Sequence, residues 1–357
     1  MSAPTNPFVS VVLSFYNEES NIPELLSRLR AVFRTEMERG FVRGYELIFV
    51  NDSSKDGSEA MLKREIPAGD VRLINMSRNF GVSACVIAGF KHATGDLVVY
   101  LDSDLQDPPE VIHEMLEKWR SEPDIDVVNT VRRSRAGESR IKLFITSIGY
   151  NILSSTTNID FLKNAGDFKL LSRRVVDEIA QLDDASPFIR GLVYWAGYNQ
   201  ATVHYDRHPR GAGESKFAVI GHKVIHNFLF SALISFSSAP LMLSVMVGML
   251  TCVVSAGLLV YALIQYLLVD VTSGWTSLMV AVAFFAGIQL LATGINGLYL
   301  NSIFLETKRR PRYIVRNTFG FGDDRIVTDR YKPFADQLES SNAQPAVRPR
   351  ASLNDLN

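Results

Sequence analysis

The chain has 357 residues, with 37 Lys and Arg against 38 Asp and Glu, a formal net charge of -1 and 47% hydrophobic residues. That length allows one large domain or two ordinary ones, and the even charge excludes a general nucleic-acid binder, which shows a strong basic excess. Cys85 and Cys252, one in a soluble-looking stretch and one in an apolar run, exclude a disulfide framework and a cysteine zinc site.

At the N-terminus, Met1–Pro7 has no positive region, and the apolar run Phe8–Phe15 is too short for a signal peptide. Whatever precedes a membrane segment is therefore expected in the cytosol. From Phe8 to about Arg133, short β-branched runs alternate with helical stretches. Strands are predicted at Val9–Phe15, Tyr45–Asn51, Val71–Met76, Asp96–Asp102 and Asp126–Arg132, each a short apolar run of the kind buried on both faces. Asn21 and Glu24 have capping-box spacing, with Leu25, Leu26 and Leu29 at helical intervals behind them. Asp107 reads as a second cap, with Pro108 at the first helical position and Glu110 reaching back. Strand–helix–strand repetition predicts a mostly parallel, doubly wound α/β sheet, which binds ligands at the carboxyl ends of its strands.

Residues 217–238 combine apolar side chains with His222, Lys223, His226 and Asn227, as in an amphipathic helix at a membrane interface. His222 and His226 have metal-ligand spacing but no third ligand nearby. Two uncharged runs follow, Leu241–Val269 and Trp275–Leu305, each longer than the ~20 residues that cross a bilayer. Lys216 and Lys223 precede the pair, and Lys308, Arg309, Arg310 and Arg312 follow it, whereas the connector Asp270–Gly274 has no Lys or Arg. The positive-inside rule then places both flanks in the cytoplasm. From residue 306 a basic cytosolic tail is expected, disordered from Ser340 onward. The tail from Arg312 and the membrane runs offer surfaces for pairing between copies of the chain.

Three groups of residues carry chemistry. Asp102–Ser103–Asp104 follows an apolar strand directly, with Gln106 close behind. Two carboxylates and an amide oxygen suit Mg²⁺ or Mn²⁺, hard ions that usually complete their shells with substrate phosphates. Tyr16–Asn17–Glu18–Glu19 and Asn51–Asp52–Ser53–Ser54 follow the first two strands and fall on the same sheet edge. There Tyr16 could pack on a base and Asp52 could accept from a ribose or base; the alternative is that Asp52, Ser54 and Asp56 only cap the next helix. The third group is basic: Arg132, Arg133, Arg135, Arg140 and Lys142, then Arg207, Arg210, Ser215 and Lys216 around Gly213. Interleaved Gly and Ser suit close backbone approach to a phosphate, though the spacing is not that of a Walker A loop. HExxH, G-x-S-x-G and G-x-G-x-x-G motifs are lacking, which removes the usual support for zinc protease, serine hydrolase and dinucleotide oxidoreductase readings.

Several stretches together resemble the polyprenyl-phosphate glycosyltransferases of glycosyltransferase family two, the group that includes dolichol-phosphate mannose synthase. The likeness is strongest to the bacterial undecaprenyl-phosphate enzymes with two C-terminal membrane helices. The matching text is FYNEESN at 15–21, VNDSSKDGS at 50–58, SRNFGVSACVIAGFKHATGD at 77–96, LDSDLQDPPE at 101–110, NAGDFKLLSR at 164–173, FIRGLVYWAGY at 188–198 and RHPRGAGESKF at 207–217. The resemblance implies a GT-A catalytic domain over 1–216, an interfacial helix over 217–238, a membrane hairpin over 239–305 and a cytosolic tail over 306–357. It implies metal-dependent, inverting transfer of a sugar, UDP-glucose being the first choice of donor, to undecaprenyl phosphate at the bacterial inner membrane. GDP-mannose, UDP-N-acetylhexosamine and UDP-amino-arabinose are alternative donors, and an inactive membrane scaffold is the alternative of another class. By the same resemblance Asp102, Asp104 and Gln106 hold the metal; Tyr16, Glu18 and Asp52 surround the nucleoside; and Asp167 faces the donor sugar. Arg132, Arg140, Arg207, Arg210, Ser215 and Lys216 clamp phosphates, with Lys142 competing with Arg140 for the acceptor. Ser14 departs from the family's usual proline, which would loosen the first loop while removing no charged ligand. A processive polysaccharide synthase is disfavoured because the chain has no Q-x-x-R-W motif.

Overall fold

The computed structural model describes residues 6–122, 124–133, 165–182, 184, 187–206, 239–268 and 274–322. Within them the predicted strands form close to expectation, as β1 (Phe8–Phe15), β2 (Gly44–Asn51), β3 (Val71–Met76), β4 (Leu97–Asp102) and β5 (Val127–Arg132). Helices α1 (Ile22–Glu38), α2 (Ser58–Glu65), α3 (Val82–His92) and α4 (Val111–Ser121) connect them. Further along lie β6 (Ala165–Ser172), α5 (Arg173–Gln181), α6 (Ile189–Trp195), β7 (Gln200–Tyr205), α7 (Ala239–Leu268), α8 (Trp275–Thr307) and β8 (Val315–Phe319).

The sheet order is β7-β5-β6-β4-β1-β2-β3-β8. Strands β3, β2, β1 and β4 run parallel, as the doubly wound reading requires. On one flank β6 enters antiparallel between β4 and β5. Alternate residues of a strand face opposite layers, and the core divides accordingly. Val11 and Leu13 pack with Leu25, Leu29, Phe33 and Met115 on one face; Val12 and Ile48 pack with Cys85, Phe90, Val175 and Leu192 on the other. Helix α3 crosses β1 so closely at Gly89 that a Cβ there would lie 2.2 Å from Val12 Cγ1.

Three local expectations are corrected. Asn21 stands at the N-terminus of α1 in helical geometry with no side-chain cap; its amide instead donates to Glu18 Oε2 at 2.6 Å. Asp107 and Pro108 do not open α4, which begins at Val111 behind Glu110; the tightly turned bonds from Val111 N–H to Pro108 O and Ile112 N–H to Pro109 O precede it. The third concerns the tail. Val315–Phe319 is a strand of the sheet, antiparallel to β3, so the chain returns to the α/β domain after its last long helix. A five-residue strand carrying Arg316 and Asn317 has too little apolar content to be seen as one.

Helices α7 and α8 are long and apolar enough to cross a membrane over Pro240–Leu258 and Val280–Thr307. Their large side chains point outward, Val253 being 70% and Leu290 73% exposed. A helix apolar all round with no protein covering it fits a lipid surrounding. The predicted interfacial helix at 217–238 lies outside the described residues.

Candidate active site

Parallel pairing sets three strand ends on one edge. Phe15 lies beside Asn51, and Ser14 beside Asp102, so the segments after β1, β2 and β4 meet as expected. The first two interlock through backbone donors. Asn17 N–H reaches Ser54 Oγ at 3.0 Å, Lys55 N–H reaches Asn17 Oδ1 at 2.8 Å, and Glu18 N–H reaches Ser58 Oγ at 3.2 Å. Asn17 and Ser53 hold left-handed backbone, with φ of 58° and 65°. Asn adopts that region at little cost, whereas Ser does so under the constraint of its neighbours. Tyr16 and Glu18 sit half-buried at the rim of this double loop.

Asp52 occupies a different setting from its open-looking sequence context. It is buried, and its two oxygens accept from Phe80 N–H at 2.7 Å and Gly81 N–H at 2.9 Å. It thus ties the turn ahead of α3 to the end of β2, a long-range contact that neither the ligand-facing reading nor the helix-capping reading contained. Asp56 is the local binder of the pair, taking Ser58 N–H on Oδ1 and Glu19 N–H on Oδ2.

At the end of β4 the chain turns through Leu105 with φ of 58°, and Gln106 N–H donates to Asp104 Oδ1 at 3.1 Å. Asp102, Asp104 and Gln106 are half-buried and close together in this bend. A third carboxylate comes from β6. Tyr100 faces Lys169 across the antiparallel β4–β6 pair, and two residues further along each strand Asp102 and Asp167 come together. Partial burial, then the charges of Asp167, Asp104 and Asp107, push the Asp102 carboxyl up to about 7, with the Ser14 hydroxyl opposing. That hydroxyl lies 3.2 Å from Asp102 Oδ1, so the departure from proline at position 14 adds a hydrogen bond to the site. Carboxylates so crowded that one resists ionisation form a site that a divalent cation would complete. Among the described residues no three His, Cys, Asp or Glu side chains gather tightly enough to hold an ion alone. Two carboxylates and an amide oxygen fit Mg²⁺ or Mn²⁺ only with further oxygens from a ligand.

Asp167 keeps its charge differently. Arg190, on α6, donates Nε to Oδ1 at 3.1 Å and a terminal nitrogen to Oδ2 at 2.6 Å, a two-point clamp. Burial works against the Asp167 charge, but the Arg190 guanidinium, by charge and hydrogen bonds, holds its carboxyl below the usual carboxylate range. The Asp167 side chain is still 43% exposed. Beneath it Lys169, fully buried, donates to Asn129 Oδ1 and lies over the Tyr194 ring at 5.0 Å. Burial and then the Arg190 charge push this ammonium down to about 7.

Arg132 ends β5 and donates to Tyr205 OH at 3.4 Å, while that hydroxyl donates to Asp107 Oδ1. Asp107 is therefore a buried anchor for β7 behind the bend that follows β4, not a helix cap. Of the residues expected to meet phosphate, Arg132 is placed at this edge; Arg140, Arg207, Arg210, Ser215 and Lys216 lie outside the described residues, as does Lys142. Sequence reasoning missed Arg190, Lys169 and Tyr205 as parts of the site. A signal existed for two of them: Arg190 is the one cation of the helix IRGLVYW, and Lys169 the one cation of the strand AGDFKLLS. A cation in an otherwise apolar stretch asks for a buried partner.

The model of glycosyl transferase family 2 matches residues 10–180. The glycosyltransferase YkcC of Bacillus subtilis is 39% identical, covering 90% of this chain and 97% of its own. The bactoprenol glucosyl transferase of Shigella phage SfV is 33% identical, covering 87% of this chain and 98% of its own. Among solved structures, the mannosyltransferase PcManGT of Pyrobaculum calidifontis, in complex with GDP-Man and Mn²⁺, is 14% identical over 86% of this chain and 88% of its own, with a TM-score of 0.44.

Proposed function

The chain belongs to glycosyltransferase family 2, and from that premise we propose that it transfers glucose from UDP-glucose to undecaprenyl phosphate, inverting the anomeric carbon. The observation that carries this reading is the meeting of Asp102, Asp104 and clamped Asp167 at one strand edge, in a chain whose relatives include bactoprenol glucosyl transferases. Asp102, Asp104 and Gln106 would hold Mg²⁺ or Mn²⁺, whose chemistry there is to neutralise charge on the leaving diphosphate.

The chain's own groups account for the remaining steps. The acceptor is a phosphate monoester whose second ionisation lies near pH 6, so at neutral pH it is mostly a dianion and needs no general base. One of its oxygens forms the new bond to the anomeric carbon as the bond to the diphosphate breaks, and the electron pair leaves with the nucleoside diphosphate. Asp167, kept ionised by Arg190, accepts hydrogen bonds from sugar hydroxyls and so orients the ring. Arg132, with the basic residues 140, 207, 210 and 216, supplies the cations that hold the two phosphates. Tyr16 and Glu18 receive the nucleoside at the rim of the double loop.

Two membrane helices give this reaction its place. We read α7 and α8 as a hairpin spanning the bacterial inner membrane, with the catalytic domain in the cytosol. The re-entry of β8 into the sheet supports that reading, because only an even number of crossings returns the chain to the side it left.

Arg190→Gln is expected to lower kcat by ~10–100-fold with a smaller change in donor KM, since Asp167 loses the contact that fixes its orientation. Arg190→Lys should recover little, because an ammonium makes a one-point contact where the guanidinium makes two. Steady-state kinetics on both variants check this, and a wild-type kcat in Arg190→Gln would remove Asp167's dependence on the clamp. The overall reading is tested with detergent-purified protein, undecaprenyl phosphate and labelled UDP- and GDP-sugars, with and without EDTA. EDTA-sensitive passage of label from UDP-glucose into the organic phase is the expected result. Passage from another donor alone would replace the sugar, and none from any donor would overturn the activity.

A further inference from the structure

Three asparagines stand opposite one another on adjacent strands: Asn51 on β2 faces Asn75 on β3, and Asn75 faces Asn317 on β8. Asn51 and Asn75 are 1% and 0% exposed. Their carboxamides form a directed chain. Asn75 Nδ2 donates to Asn317 Oδ1 at 2.8 Å, Asn51 Nδ2 donates to Asn75 Oδ1 at 2.9 Å, and Asn51 Oδ1 accepts Ser54 N–H at 2.8 Å. Ser54 Oγ then accepts Asn17 N–H at 3.0 Å, joining the loop after β2 to the loop after β1. The second hydrogen of Asn75 Nδ2 goes to Glu59 Oε1 at 3.1 Å, and Glu59 is held from the other side by Arg316 at 3.0 Å. Asn317 on β8 thus supplies one acceptor of Asn75 directly, and Arg316 on the same strand helps Lys63, at 2.8 Å from Oε1, to hold the other.

We propose that Asn317, assisted by Arg316, is a positioning residue for donor binding: the strand that follows the last membrane helix sets, through Asn75 and Asn51, the loop that receives the nucleoside. A carboxamide accepts at one end and donates at the other, so the orientation of each member of a buried row constrains the next. With the acceptor at 317 lost, one hydrogen of the fully buried Asn75 amide loses its protein partner, and turning or tilting that amide moves Asn51 Oδ1 off Ser54 N–H. The displaced segment carries Asp52 and, through Asn17, adjoins Tyr16 and Glu18. A catalytic piece ending at 216 would lack this strand and should bind donor poorly. The inference rests on the proposed donor site for its meaning but on the hydrogen-bonded row for its mechanism.

The test uses the full chain in detergent. Asn317→Val keeps a strand-forming residue and removes the acceptor; Asn317→Asp keeps the acceptor. Titration calorimetry with UDP and Mg²⁺ should show about tenfold weaker binding in Asn317→Val and near-wild-type binding in Asn317→Asp, with acceptor KM unchanged in both. Hydrogen exchange should quicken in the peptide spanning 51–58 and stay level in β1 and β4. Arg316→Gln combined with Asn317→Val should enlarge both effects. Equal UDP affinity and equal exchange at 51–58 in wild type and Asn317→Val would overturn the proposal, as would faster exchange throughout the sheet, which marks a merely structural role. If Asn317→Val does not fold, Asn317→Thr, with its shorter hydroxyl, must show the same shifts at smaller size or the proposal fails. Should wild type itself bind neither UDP nor GDP, the donor reading fails, while the exchange comparison still judges the row.

Discussion

Replacing Asp104 by Asn lowers sugar transfer by about 10³-fold, roughly 4 kcal/mol of lost transition-state stabilisation, while the protein melts within a few degrees of wild type. The structural half of this expectation follows from the bend after β4. Asp104 Oδ1 accepts Gln106 N–H, and the carboxamide oxygen of Asn can accept the same bond, so the strained turn at Leu105 survives. The chemical half follows from charge. A neutral amide at 104 removes one of the two carboxylates proposed to hold the cation that would neutralise charge on the leaving diphosphate. Transfer assays at saturating donor, paired with thermal melts, separate the two halves. Wild-type turnover in a well-folded Asp104→Asn protein would remove this residue from the metal site.

Asp102→Asn has the opposite signature in stability. In metal-free protein the Asp102 carboxyl is pushed from 3.8 up to about 7 by burial and by Asp167, Asp104 and Asp107. Between those values the folded chain keeps a proton that the unfolded chain has released. Its contribution is therefore complete below pH 3.8 and is lost as pH rises through about 7. Asn, which never ionises, should escape that loss. In EDTA at pH 8 we expect Asp102→Asn to be more stable than wild type by about 2 kcal/mol, allowing for solvent reaching a half-buried group. Adding Mg²⁺ should raise the wild-type melting temperature and leave the variant's unchanged, because a cation that binds only the folded, ionised site stabilises by mass action. Melting curves from pH 4 to 8 check the sign. Parallel curves for the two proteins would show that the carboxylates at this edge do not repel one another.

Much of the catalytic domain was legible from residue order. Val9–Phe15, Val71–Met76 and their companions read as strands because parallel strands buried on both faces are continuous apolar runs, and the helices between them fixed the crossover pattern. Asp102, Asp104 and Asp52 could be placed on one edge for the same reason: strand ends on one edge are a property of parallel topology, which local pattern reveals. The two long uncharged runs named themselves by length. Local capping was less legible. Asn21 and Asp107 carry cap-like spacing, yet Glu18, three residues back, claims the first and Tyr205, 98 residues on, the second; the latter partner is invisible in a window of a few residues.

By itself, the sequence determined the α/β class, the strand-edge carboxylates, the family and the pair of apolar helices, because each depends on composition or spacing within a short stretch. Tertiary structure alone decided that Arg190 clamps Asp167, that Asp52 holds the turn before α3, that Ser14 touches Asp102, and that Val315–Phe319 returns to extend the sheet. Each of these joins residues tens to hundreds of positions apart, and such a contact is chosen by the packing of the whole chain, where a buried charge or amide must find its partner wherever the fold delivers one.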